Sequence, residues 1–88
     1  MERNVDIQCQ VCSITSTKGD ITPIWCRYKN EQGEICKLDI IEAKPTGPAQ
    51  VICNMFFECT AAVDERKIAF ILKLDGSSHR WAIIRILM

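Results

Sequence analysis

The chain has 88 residues, 48% of them apolar, and eleven basic side chains balance eleven acidic ones to a formal charge of zero. That apolar share excludes a disordered chain, and the length holds one domain around one core. Neutrality removes the electrostatic footprint expected of a nucleic-acid or anionic-membrane binder, leaving only the chance of a local basic patch.

Met1 to Asp6 carries acidic residues with no apolar stretch behind them, which is not a secretory leader. No run approaches the ~18 apolar residues of a membrane span. The expectation is a cytoplasmic chain with reduced thiols and no membrane partner. A secreted disulfide scaffold is disfavoured. Cys53 and Cys59 fall about 20 Å apart on one extended segment at ~3.3 Å per residue, and such scaffolds have thinner apolar content.

Turn signals at Thr17-Lys18-Gly19-Asp20, Asn30-Glu31-Gln32-Gly33, Pro45-Thr46-Gly47-Pro48, Val63-Asp64-Glu65-Arg66 and Asp75-Gly76-Ser77-Ser78 divide the chain into six segments. Val5 to Thr15 sets Ile7, Cys9 and Val11 against Asp6, Gln8 and Gln10, the period of a half-buried strand. Ile21 to Lys29 sets Ile24, Cys26 and Tyr28 against Pro23, Trp25 and Arg27, with Pro23 suited to the strand's start or an edge. Glu34 to Ala43 sets Cys36, Leu38 and Ile40 against Lys37 and Asp39. Gln50 to Thr60 sets Val51, Cys53, Met55, Phe57 and Cys59 against Gln50, Asn54 and Glu58.

Lys67 to Leu74 places Ile68, Phe70, Leu72 and Leu74 on one side, with Ala69 and Ile71 on the other. Trp81 to Met88 is apolar in both phases, as in a strand covered on both faces or one that closes a barrel and meets a partner. A helix over 61–74, capped by Thr60 and stopped at Gly76, is the rival reading. The β-branched and aromatic content favours strand.

Five of the six cysteines share the apolar phase and read as small core residues, and Cys12 alone falls off it. Cys9-Gln10-Val11-Cys12 is a C-x-x-C, yet residues three apart on a strand face opposite ways, and Gln-Val supplies no turn. A zinc or thiol-redox protein using Cys9 and Cys12 with Cys26 or Cys36 is therefore an alternative, not the leading reading. His79, beside Asp75 and the Ser77-Ser78 turn, lacks a nucleophile elbow. Asp39 and Glu42 have no second member for paired acid–base work, and the four glycines occupy separate turns. No catalytic residue, metal or cofactor is expected. Trp25 with Arg27, and Lys29 beyond, form the kind of aromatic and cationic surface on which bases stack, a second alternative.

The residues Gly19-Asp20-Ile21-Thr22-Pro23-Ile24-Trp25, Arg27-Tyr28, Gly33-Glu34, Lys37-Leu38-Asp39-Ile40-Ile41, Phe57-Glu58-Cys59 and Trp81 resemble those of a family of short, uncharacterised all-β proteins from Gram-positive bacteria. The resemblance implies a small barrel and a cytoplasmic bacterial protein, and it supplies no activity or ligand. The chain departs from that pattern in its extra core-phase cysteines and in Ala82 after Trp81.

The expected architecture is a single all-β domain, residues 1–88, with about six mainly antiparallel strands in a small meander barrel or roll. The expected function is non-enzymatic binding or interaction by a homo-oligomer. Loops near 17–20, 43–49 and 75–78 should share one end, making Lys18, Asp20, Lys44, Asp75 and His79 a candidate mouth, with Trp25 and Arg27 as further contacts. The C-terminal strand, through Trp81, Ile84, Ile86 and Met88, is the expected self-association surface.

Overall fold

A computed structural model describes residues 2–47 and 53–87. Six strands follow one another: β1 Arg3–Thr15, β2 Ile21–Lys29, β3 Ile35–Thr46, β4 Asn54–Val63, β5 Arg66–Asp75 and β6 Arg80–Ile86. Every neighbour in the sequence pairs antiparallel, and β6 pairs back onto β1 to close a barrel. The helix over 61–74 does not form. Asp64 and Glu65, at φ 48° and 67°, make the two-residue left-handed turn that lets β4 and β5 pair directly.

Two strands serve both walls of the barrel. β1 pairs with β6 from Arg3 to Cys9 and with β2 from Gln10 to Thr15. β3 pairs with β2 through Asp39 and with β4 from Asp39 onward. Thirteen extended residues span ~43 Å at ~3.3 Å each, more than the 35 Å long axis of the molecule, so β1 must bend. The walls are a three-stranded sheet (the ends of β1 and β3 with all of β2) and a five-stranded sheet (the remainder).

The tight turns follow from side chains that replace missing backbone partners. Ser16 Oγ accepts from the amides of Lys18 and Asp20 at 3.2 and 3.1 Å, and Asn30 Oδ1 accepts from those of Gln32 and Glu34 at 2.9 Å each. Asp75 Oδ1 accepts from the amide and hydroxyl of Ser77 at 2.9 and 2.7 Å, and from the amide of Ser78.

The core runs through Cys26, Leu38, Phe57, Cys59, Ala61, Phe70, Leu72 and Ile83, all buried, with Ile7, Cys9, Val11, Tyr28 and Trp81 packed against it. The alternation expected from the sequence holds along β1, β3 as far as Ile40, and β5. Three corrections apply. Ile24 is 37% exposed and Pro23 is buried, the reverse of the expected phase, because Cys12 faces Trp25 while Ser13 faces Pro23; Ile24 is an unpaired bulge residue that flips everything before it. Cys53 sits before β4, exposed at φ 75°, outside the strand expected to hold it. There its carbonyl accepts the Gly76 amide, tying the approach to β4 to the β5–β6 turn. Glu42 and Lys44 lie in β3, which runs on to Thr46, so the expected loop at 43–49 begins later; Pro48, Gln50 and Val51 lie outside the described residues.

Candidate functional site

The outer face of the three-stranded sheet is built in rows by its register. Gln10, Arg27 and Lys37 form one row across β1, β2 and β3, and Cys12, Trp25 and Asp39 form the next. Trp25 is half-buried beneath two cations, with the Arg27 guanidinium carbon 5.3 Å and Lys37 Nζ 5.1 Å from its ring. That is the distance of a cation–π contact. Arg27 Nε also donates to Gln10 Oε1, and Lys37 Nζ lies 3.4 Å from Asp39 Oδ1. Both contacts lie at the surface and orient the two cations toward the ring.

The same face turns apolar below Trp25. The β2 bulge points Ile24 outward, and a second bulge in β3, where Ile40 faces Ala61 and Glu42 faces Thr60, leaves Ile41 unpaired and 58% exposed. Ile14, opposite Thr22, is 61% exposed. A bulge bends a strand, which the two corner strands and their neighbour need for closure, and it also puts out a side chain that alternation would have placed inside. The result is a cationic upper half and an apolar lower half around one tryptophan.

The up-and-down path puts the β1–β2 and β5–β6 turns at one end of the barrel, as the sequence suggested. Lys18 and Asp20 occupy the β1–β2 turn and Asp75 and His79 the β5–β6 turn, while Lys44 lies within β3, 3.4 Å from Glu42 and opposite Glu58. Among the described residues no hydrogen bond or ion pair joins the two turns. Asp75 is spent on its own turn; the Ser77 hydroxyl, with the Ser77 and Ser78 amides, holds its carboxyl below the usual range. His79, exposed at φ 60°, contributes its amide to the Asp75 carbonyl at 2.7 Å.

The surface expected of β6 is arranged otherwise. β6 is paired on both sides, so it offers no free edge. Trp81 turns inward, 5.8 Å from Phe57 between ring centroids, and Ile86 packs on the core. Ile84 is skipped in the pairing to both neighbours and lines a shallow outer cavity of about 350 Å³ with Phe56, Ile71 and Arg85. Met88 lies outside the described residues.

Cys9 and Cys12 stand on opposite faces of β1, one half-buried and the other exposed. No three His, Cys, Asp or Glu side chains among the described residues are grouped to hold a metal. Cys9, Cys26 and Cys59 do approach one another inside the barrel. The Cys26 thiol is shared with the Cys9 sulfur, which pulls Cys9 down and pushes Cys26 far up, and burial pushes Cys59 up to about 12. Cys59 Sγ donates to the Phe57 carbonyl at 3.7 Å. Thiols that stay protonated are poor nucleophiles and poor ligands.

Lys37 and Ile41 were missing from the sequence-derived surface. A hairpin closed on Asn30–Glu34 places Lys37 opposite Arg27, so Lys37 was recoverable from the turn. Ile41 carried no such signal, since alternation puts it outside without saying that a bulge isolates it. No family model, curated protein or solved structure matches the chain, so the resemblance to short Gram-positive proteins rests on its quoted residues alone.

Proposed function

We propose that the protein is a non-enzymatic binding module that works through the outer face of its three-stranded sheet. The observation that carries this reading is Trp25, held under Arg27 and Lys37 on a face that also exposes Ile14, Ile24 and Ile41. Tryptophan and arginine beside aliphatic anchors are the residues that dominate protein–protein contacts. Cys26 and Cys59, fully buried in the core, serve as packing groups, which supports the same reading. A bacterial, cytoplasmic setting belongs to the reading, since it keeps the six free thiols reduced.

Single-stranded nucleic acid is the second reading, favoured by the stacked Trp25 and its cations. Asp39 in the same row works against it, because a carboxylate beside the ring repels phosphate.

Photo-crosslinking tests the module. A photoreactive side chain in place of Thr22, on this face, is expected to give adducts in cells, whereas one in place of Glu58, exposed on β4 in the other wall, is not. Equal adducts from both positions, or none from Thr22, would count against the proposal. Binding of an oligothymidylate that weakens steeply with salt and is lost in Trp25→Ala would move the assignment to nucleic acid.

A further inference from the structure

We infer that the partner for this face is a second copy of the chain, packed face to face about a two-fold axis that passes beside Ile24. The inference rests on the reading of this face as a binding surface and names its occupant.

The outward row of β2 is charged at both ends with opposite sign. Arg27, with Lys29 beyond it, stands above Trp25; below it come the Ile24 bulge, Thr22 and, at the end of the β1–β2 turn, Asp20. Alternation from Thr22 puts Asp20 on the same side of the sheet. The Asp20 amide bonds Ser16 Oγ, and its carboxylate has no ion-pair partner among the described residues. Arg27 is likewise without a carboxylate, bonded only to the neutral Gln10. The midpoint between these two unmatched charges falls beside Ile24.

An isologous contact requires each patch to be complementary to itself under a two-fold rotation. Placing the axis beside Ile24, with β2 antiparallel to its copy, sets Arg27 of each chain against Asp20 of the other and Trp25 over Thr22. The isoleucines at 14 and 24 fall in the centre. Aligned sheets pack about 10 Å apart, a gap that facing isoleucine and tryptophan side chains fill. Charged ends at the rim and apolar residues in the middle is the usual anatomy of an interface. A neutral chain adds no long-range repulsion between copies.

The alternative occupant is an acidic peptide attracted by Arg27 and Lys37. It would leave Asp20 unmatched and would not account for its placement, so the second copy is favoured.

Native mass spectrometry and light scattering of the reduced full chain test this. The dimer is expected at micromolar concentration. Arg27→Asp and Asp20→Arg should each weaken it by at least about ten-fold, because each sets two like charges together twice. An equimolar mixture of the two variants should restore a heterodimer, since both contacts again pair opposite charges. Ile24→Asp, at an exposed bulge, should give a monomer with unchanged far-ultraviolet circular dichroism. A wild-type chain that stays monomeric while Thr22 still crosslinks to another protein overturns the second copy and leaves the binding face standing. A dimer that survives Ile24→Asp, or variants that fail to recover on mixing, overturns the inference as well and points to another face, such as that around Ile84.

Discussion

The two walls of this barrel use the same kinds of residue to opposite ends. The five-stranded wall turns its large side chains inward: Phe57, Phe70 and Leu72 are at most 1% exposed, and Trp81 rests on Phe57. The three-stranded wall buries the smaller Pro23, Cys26 and Leu38, while its tryptophan is half-buried on the outside and Ile14, Ile24 and Ile35 look outward. One wall makes the fold and the other leaves a surface. If that division is right, equal chemistry applied to the two walls must have unequal consequences.

The largest difference is expected at the aromatic residues of the core. Phe57→Ala removes a ring that is 1% exposed and leaves a void against Trp81, which should cost about 3–5 kcal/mol in denaturant unfolding. A domain this small has a total stability of the same order, so the variant is expected to be largely unfolded at 37 °C. A loss under 1 kcal/mol would mean that the five-stranded wall does not carry the fold.

The thiols give the next contrast. Cys59→Ser puts a hydroxyl into a fully buried site whose one polar neighbour is the Phe57 carbonyl, and should cost about 1–3 kcal/mol. Cys12→Ser, on the exposed side of β1, should change stability by less than about 0.5 kcal/mol. Titration with a thiol reagent sharpens this: Cys12 and Cys53 react in the folded protein, and Cys26 and Cys59 only after unfolding.

Alkali reaches the same sulfurs by another route. Folding raises Cys59 to about 12 and Cys26 higher still, above the ordinary thiol value of 9.0, so the folded state keeps protons that the unfolded state gives up. Their contribution is complete below pH 9 and is lost as the pH rises from there through about 12. Cys9, pulled down by the Cys26 thiol, opposes this in part. Cys59→Ala should flatten the fall in stability over that window, and Cys12→Ala should leave it unchanged.

How much of this was legible depends on the distance over which each feature is decided. The strand phases of β1 and β5 and four of the five turn positions are local, written in alternation and in residues such as Asp75 and Asn30 that satisfy backbone amides. The phase of Ile24 was misread because a bulge is decided by barrel closure, and the dipeptide Pro23-Ile24 looks the same with or without one. Cys53 was misread for a related reason: alternation extends a strand indefinitely, and the contact that ends it, with Gly76, comes from another hairpin. The candidate site was half legible. Trp25 and Arg27 stood out as an aromatic and a cation in the outward phase, but Lys37 became part of the site only through the register of β2 on β3, and Ile41 only through its bulge. The doubly apolar β6 showed the opposite failure. Its composition marked closure correctly, while the surface expected of it for self-association has no edge left to offer, because β1 and β5 pair with both sides of it.

The smallest expected effect bears hardest on the division between the walls. Trp25→Ala removes as large a ring system as any in the chain, and by area alone it should rival Phe57→Ala. Its ring, however, meets the ends of Arg27 and Lys37 on an open face, so what the folded chain loses is two exposed cation–π contacts of about 0.5–1 kcal/mol each, offset as the freed cations regain hydration. A cost of about 1 kcal/mol or less by denaturant unfolding is the expected outcome, with dimerisation weakened in the same variant. A cost near that of Phe57→Ala would mean that Trp25 is structural, and the outer face would lose its claim to be a surface kept for a partner.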